Sequence, residues 1–342
     1  MKNEQLTNPA YLEALNLFRD DIEKFKKIMN SSSCSQLEKK LLLCHLEIRN
    51  NENIKVLNNL SSINSAIPFI QAQIHLLKGL AYNNMGRPNL AINHFEESIS
   101  CYEEINENNH IFFPIFNLIL TYENLGETKE VKQLANRLKK VTLTTPVMEI
   151  NLLRVTSSIF SEEKKFSEAL SAIDQAFLLA QGKISHYQSF LFVDKFILLF
   201  KMKKFLECEM LIQKYNDIRI FRNSINYNFM KILLSHYMHN TPIYIKQNNF
   251  QEAPLLEAQI QVIRNLANLD YTEATKWWNK LNKINPHVYK PEFNYSGPSC
   301  LFSECLNKNS SSFQFQKKEQ SLEDLKLDKM TVQEKLIKIL QD

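Results

Sequence analysis

Glycine is scarce here: 5 residues in a chain of 342. A β-sandwich or barrel of this length needs many more turn glycines, and no Gly-rich phosphate loop can be built. Long apolar runs are also missing. The two most apolar stretches, "IFFPIFNLIL" and "FLFVDKFILLF", are interrupted by Pro114 and Asn117 and by Asp194 and Lys195. Both fall short of the roughly 20 residues needed to span a bilayer. The opening "MKNEQLTNPAYLEALNLF" has no apolar core of a signal peptide. No CxxC pair occurs among the 6 cysteines, so they read as reduced thiols. The expectation is a cytoplasmic protein with no membrane contact. Excess charge of one sign is lacking too, since 41 basic residues face 37 acidic ones. That balance argues against nucleic acid as a partner.

Recognisable chemistry is equally thin. No GxSxG, Walker-type loop, HExxH or dinucleotide fingerprint is present. His236 and His239 stand at i and i+3 with no carboxylate or thiol to complete a tetrahedral metal set. Cys44 and His45 are adjacent and point apart on a helix. Cys300 and Cys305 lack zinc-knuckle spacing. Glu96–Glu97, Glu103–Glu104 and Glu162–Glu163 read as solvated carboxylates. The expectation is a non-enzyme with no cofactor, no metal and no catalytic residues.

What is present is a helical period. Hydrophobic residues make up 44% of the chain, enough to fill a core. In "GLAYNNMGRPNLAINHFEESI", apolar residues recur at helical spacing up to "MGRP". There Gly86 suits a positive φ and Pro88 the first turn of the next helix. Gly79 and Ala91 are placed at a close crossing of the two helices, with Tyr82 and Phe95 filling the space beside them.

One hairpin cannot bury both its faces, so copies are expected. Second helices align in "GETKEVKQLANRLK", "KKFSEALSAIDQAF", "KKFLECEMLIQKY" and "LDYTEATKWWNKLNKINP". Ala91 becomes Val131, Ala169, Cys208 and Ala274. Phe95 becomes Ala135, Ile173, Ile212 and Trp278. A ring precedes the small residue by three places at Phe166, Phe205 and Tyr271. A weaker copy centres on Val56. Trp278 thereby falls on a core position, while Trp277, one step round the helix, is a candidate partner contact.

These residues resemble the tetratricopeptide repeat, most fully at Gly79, Tyr82, Gly86, Ala91 and Phe95, and again in the last copy with its closing Pro286. The spacing of 38 to 40 residues between the first four second helices departs from that family's 34. The resemblance implies an all-α fold, a right-handed solenoid of helical hairpins. An N-terminal helical segment would cover 1–34, the array 35–286, a linker 287–318 and a C-terminal helix 319–342. The stretch 222–250 breaks the register at Pro242.

The resemblance also implies that first helices line a concave groove. Its lining would be Gln73, Leu76, Leu80, Asn83 and Asn84, then Phe113, Phe116, Leu120 and Asn124. Asn151, Arg154 and Ser158 follow, and then Phe190, Val193, Ile197 and Lys201. Leu76 and Leu80 replace the residues with which some family members grip a peptide's terminal carboxylate, so that clamp is absent. The expected function is a protein- or peptide-binding interaction module or scaffold. The alternative is a bacterial-type regulator whose array senses a ligand or peptide and controls an output partner.

Overall fold

The computed structural model describes residues 8–50, 52–63, 65–181, 187–215, 230–231, 234, 254–267 and 271–284. The expectations for 222–229, 235–250, the linker 287–318, the C-terminal helix 319–342, His236, His239, Cys300, Cys305 and Pro286 lie outside them. Among the described residues every regular element is a helix, and no strand is present. Fourteen helices are described. In order they are α1 (Pro9–Asp20), α2 (Ile22–Asn30), α3 (Gln36–Arg49), α4 (Asn53–Ser61), α5 (Pro68–Asn84), α6 (Pro88–Glu104) and α7 (Phe112–Leu125). Then come α8 (Thr128–Leu138), α9 (Pro146–Glu162), α10 (Phe166–Leu179), α11 (Tyr187–Lys201), α12 (Phe205–Tyr215), α13 (Pro254–Ala267) and α14 (Tyr271–Ile284).

The chain divides into two compact units, 1–191 and 192–342. In the first, consecutive helices pack in pairs, most extensively α5 on α6 and α9 on α10. Alternate helices also touch in series: α1 meets α3, α3 meets α5, α5 meets α7, and α7 meets α9. In the second unit, Tyr215 and Phe205 of α12 pack edge-on against Phe192 and Phe200 of α11, with centroids 5.5 and 5.3 Å apart. The Cys208 thiol donates to the Phe196 carbonyl at 3.8 Å. There α13 packs on α14.

One local register recurs through both units. Helices α4, α6, α8, α10, α12 and α14 begin at residues 53, 88, 128, 166, 205 and 271. Three residues into each stands a buried small or medium side chain: Val56, Ala91, Val131, Ala169, Cys208 or Ala274. Four further on stands a second buried side chain, of varied size: Leu60, Phe95, Ala135, Ile173, Ile212 or Trp278. An i, i+4 pair stays on one helix face, so each helix is held to its neighbour by the same stripe.

The turns before α6, α8, α10 and α12 repeat as well. Gly86, Gly126, Lys164 and Lys203 have φ of 69°, 76°, 59° and 59°, and each lies five residues before the small position. The residue after each one donates its N–H to the carbonyl five back: Arg87 to Tyr82, Glu127 to Tyr122, Lys165 to Phe160 and Lys204 to Leu199, at 2.8–3.0 Å. This is a left-handed helix stop that satisfies an otherwise orphaned carbonyl. A lysine in that conformation costs roughly 1–2 kcal/mol relative to glycine.

At the α5–α6 crossing the sequence expectation needs one correction. Phe95 does not lie beside Gly79 but directly on it. A Cβ at Gly79 would stand 2.5 Å from Phe95 Cε1 and 2.6 Å from Cδ1. Glycine is therefore the seat of the ring rather than only a spacer between backbones. Tyr82 is half-buried and stacks on His94, with centroids 5.4 Å apart and planes 7° from parallel.

Candidate functional site

Three of the sequence candidates, Arg154, Phe116 and Phe190, meet in one place, on α9, α7 and the start of α11. The Arg154 guanidinium carbon lies 6.0 Å from the Phe116 ring centroid and 5.5 Å from that of Phe190. Its Nη1 donates to Asn151 Oδ1 at 3.5 Å. Two rings thus flank one cation, an arrangement worth roughly 0.5–2 kcal/mol depending on how dry it is. Phe190 is 49% exposed, whereas Phe116 is 7% exposed and stacks on Phe112 at 6.2 Å. The patch therefore has a floor, Phe116, a pinned charge, Arg154, and an open lip, Phe190.

Several proposed lining residues are not surface residues. Asn151, Gln73 and Leu76 are each 2% exposed and Val193 is 8% exposed, so these, with Phe116, are packing positions and not groove contacts. The reason is geometric. Helices touched on two sides bury more than half their circumference, so a single inward stripe cannot be read from the period alone. Asn83 and Asn84 are spoken for within the chain. Thr121 Oγ1 donates to Asn83 Oδ1 at 3.3 Å, and Asn84 Nδ2 donates to Asn53 Oδ1 at 3.1 Å. These amides tie α5 to α7 and to α4. Phe113 is half-buried, its ring edge-on to Phe112 at 5.5 Å, and Asn124 is exposed. Lys201 is half-buried and belongs to the second unit. Trp278 is 1% exposed, as a core ring should be, while the half-buried Trp277 carries Lys280 Nζ 4.2 Å from its centroid.

Two polar clusters had no sequence signal. The first is a buried relay across α3, α5 and α6. His45 Nε2 faces Gln73 Oε1 at 3.3 Å, and Gln73 Nε2 donates to the Tyr102 hydroxyl. Burial drives the Tyr102 and Tyr11 phenols far above their ordinary range, so both stay neutral, and the Tyr102 hydroxyl serves as the acceptor for Gln73. Nearby, buried Glu47 is held by Asn59 Nδ2 at 2.9 and 3.2 Å and by Lys55 at 3.1 Å.

The second cluster is a histidine pair. His75 Nδ1 and His94 Nδ1 are 3.1 Å apart across the α5–α6 hairpin. Burial first, then Lys78, lowers the His75 pKa. For His94 burial, His75 and Lys78 bring it down to about 4, with Glu97 opposing both shifts.

The paired carboxylates are exposed as expected. Glu103 meets Arg137, and Glu163 meets Lys132 and Lys165 at 3.0 and 2.8 Å. Such surface pairs contribute little to stability. Cys44 and Cys208 are buried, and desolvation pushes both thiols up to about 12, which makes them poor nucleophiles. Among the described residues no helix is long and apolar enough to cross a membrane, and no three or more His, Cys, Asp or Glu residues gather as a metal-holding set. No family model, curated protein or solved structure matches the chain.

Proposed function

We propose that this chain is a protein- or peptide-binding module, a tetratricopeptide-like array of helical hairpins that acts in the cytoplasm as an interaction partner or scaffold. The reading rests on the patch formed by Arg154 between Phe116 and Phe190, because a half-exposed aromatic beside a pinned arginine is the composition of an interface anchor. The repeated helix starts and turns support the array. The serial contacts of α3, α5, α7 and α9 are those that stacked hairpins make through their first helices. A partner would gain area from Phe190 and a directed charge from Arg154. Both groups are already held in place, so little ordering entropy is lost on binding.

The test is affinity capture with the full chain from cells that produce it, comparing wild type with Phe190→Ser and with Arg154→Ala. Specific partners should be lost from both variants while their circular dichroism and melting are retained. Capture unchanged in both folded variants would end the assignment of this patch.

A further inference from the structure

We infer that His75 and His94 form a bidentate site for a divalent transition metal of the zinc–nickel–copper class. The two Nδ1 atoms are 3.1 Å apart, and the ring centroids 5.3 Å. Two nitrogen ligands about 2.0–2.1 Å from one ion stand roughly 2.9 Å apart at a right angle and about 3.4 Å apart at the tetrahedral angle. The observed separation falls between these, so no helix has to move for an ion to enter. Only the rings must tilt until their lone pairs converge.

The electronic state also suits a metal. Imidazole coordinates an ion through an unprotonated ring nitrogen, and here each ring turns its Nδ1 toward the other. With no ion bound, the short contact is one Nδ1–H donating to the other Nδ1. Moving that proton to Nε2 of the same ring frees both Nδ1 lone pairs. No proton is lost in the exchange and no redox change is needed. Imidazole nitrogens are the ligands this class of ion prefers.

The surroundings hold the pair and leave it reachable. Tyr82 stacks on the His94 ring and supports it from one face. Both histidines are half-buried, so solvent reaches them. Glu97, one turn beyond His94 on α6, is exposed, and its charge acts on both rings. Water would complete the coordination. The site joins the two helices of one hairpin, so an occupant would clamp α5 to α6.

The experiment is titration of the full chain with Zn²⁺ by calorimetry at pH 7.5, together with Ni²⁺ broadening of histidine side-chain NMR signals. It is repeated on His75→Asn and His94→Gln. The chain has 8 histidines, so the NMR readout is what places the ion. Expected are a saturable Zn²⁺ event weakened more than about tenfold in each folded variant, and Ni²⁺ broadening that starts at His75 and His94. A Zn²⁺ isotherm identical in wild type and both variants would overturn the site, as would Ni²⁺ broadening that begins at other histidines. A wild-type chain that takes up no Zn²⁺ would show that the pair is a hydrogen bond alone.

Discussion

Replacing Gly79 with alanine sets two effects of known sign against each other. Alanine is the better helix former by about 1 kcal/mol in a helix interior such as α5. Its methyl, however, would enter the Phe95 ring, 2.5 Å from Cε1 and 2.6 Å from Cδ1. Carbon atoms pack best about 3.5–4.0 Å apart, so the ring must retreat by about 1 Å. Phe95 is 0% exposed and belongs to the hydrophobic core cluster, so solvent offers it no side to move into. Overpacking of this kind costs about 1–3 kcal/mol, and so severe an overlap belongs near the top of that range.

The net expectation is a loss of about 1–2 kcal/mol. It would appear as a lower urea midpoint and as faster hydrogen exchange of the α5 and α6 amides. The exchange readout matters because a chain of two units need not unfold in one step. Trimming the ring should remove the conflict, so Gly79→Ala combined with Phe95→Leu should show a favourable coupling of about 1–2 kcal/mol. If Gly79→Ala alone leaves the midpoint unchanged or raises it, the ring is not seated on the glycine and the reasoning fails.

Ala169→Phe should cost about 1–3 kcal/mol, because Ala169 is 0% exposed and its carbonyl accepts from Ser157 Oγ at 2.9 Å; an unchanged denaturation midpoint would contradict the register at α10. Lys164→Gly should stabilise by up to about 1 kcal/mol by relieving a φ of 59°, visible as a higher melting temperature, and a lower one would argue against the left-handed turn. Tyr102→Phe should cost about 1–3 kcal/mol in chemical denaturation, since the buried Gln73 amide loses its acceptor. Acid should weaken the α5–α6 hairpin. The unfolded chain protonates its histidines near 6.5, whereas folded His94 resists until about 4, so stability is full above the first value and falls as pH drops toward the second. His94→Gln should flatten that part of the pH profile, and an unaltered slope would remove the pair as its source.

The helices and their starts were legible because the determinants are local. Pro88 at a first turn and a buried residue three places into the second helix of a hairpin are properties of a short window of sequence. The turns were half legible. Gly86 and Gly126 announce a left-handed stop, but Lys164 and Lys203 adopt the same conformation with nothing in their side chains to show it. The site was less legible. Arg154, Phe116 and Phe190 were found as candidates, yet only the packing of three helices distinguishes the buried ring from the exposed one. Gln73, His45 and Tyr102 come from three helices, and His75 and His94 from two. No spacing rule within one helix links partners that meet only after the hairpins close.

In the proposed function, the surface around Phe190 is where another protein docks. A photo-crosslinking phenylalanine analogue at position 190 tests this most directly, with the same analogue at Leu178, a 66% exposed position on α10, as the control. In cells that make the chain, a discrete crosslinked product is expected from position 190, abolished by Arg154→Ala and absent from position 178. Equal crosslinking from both positions, or a product from position 190 that persists without Arg154, would contradict it.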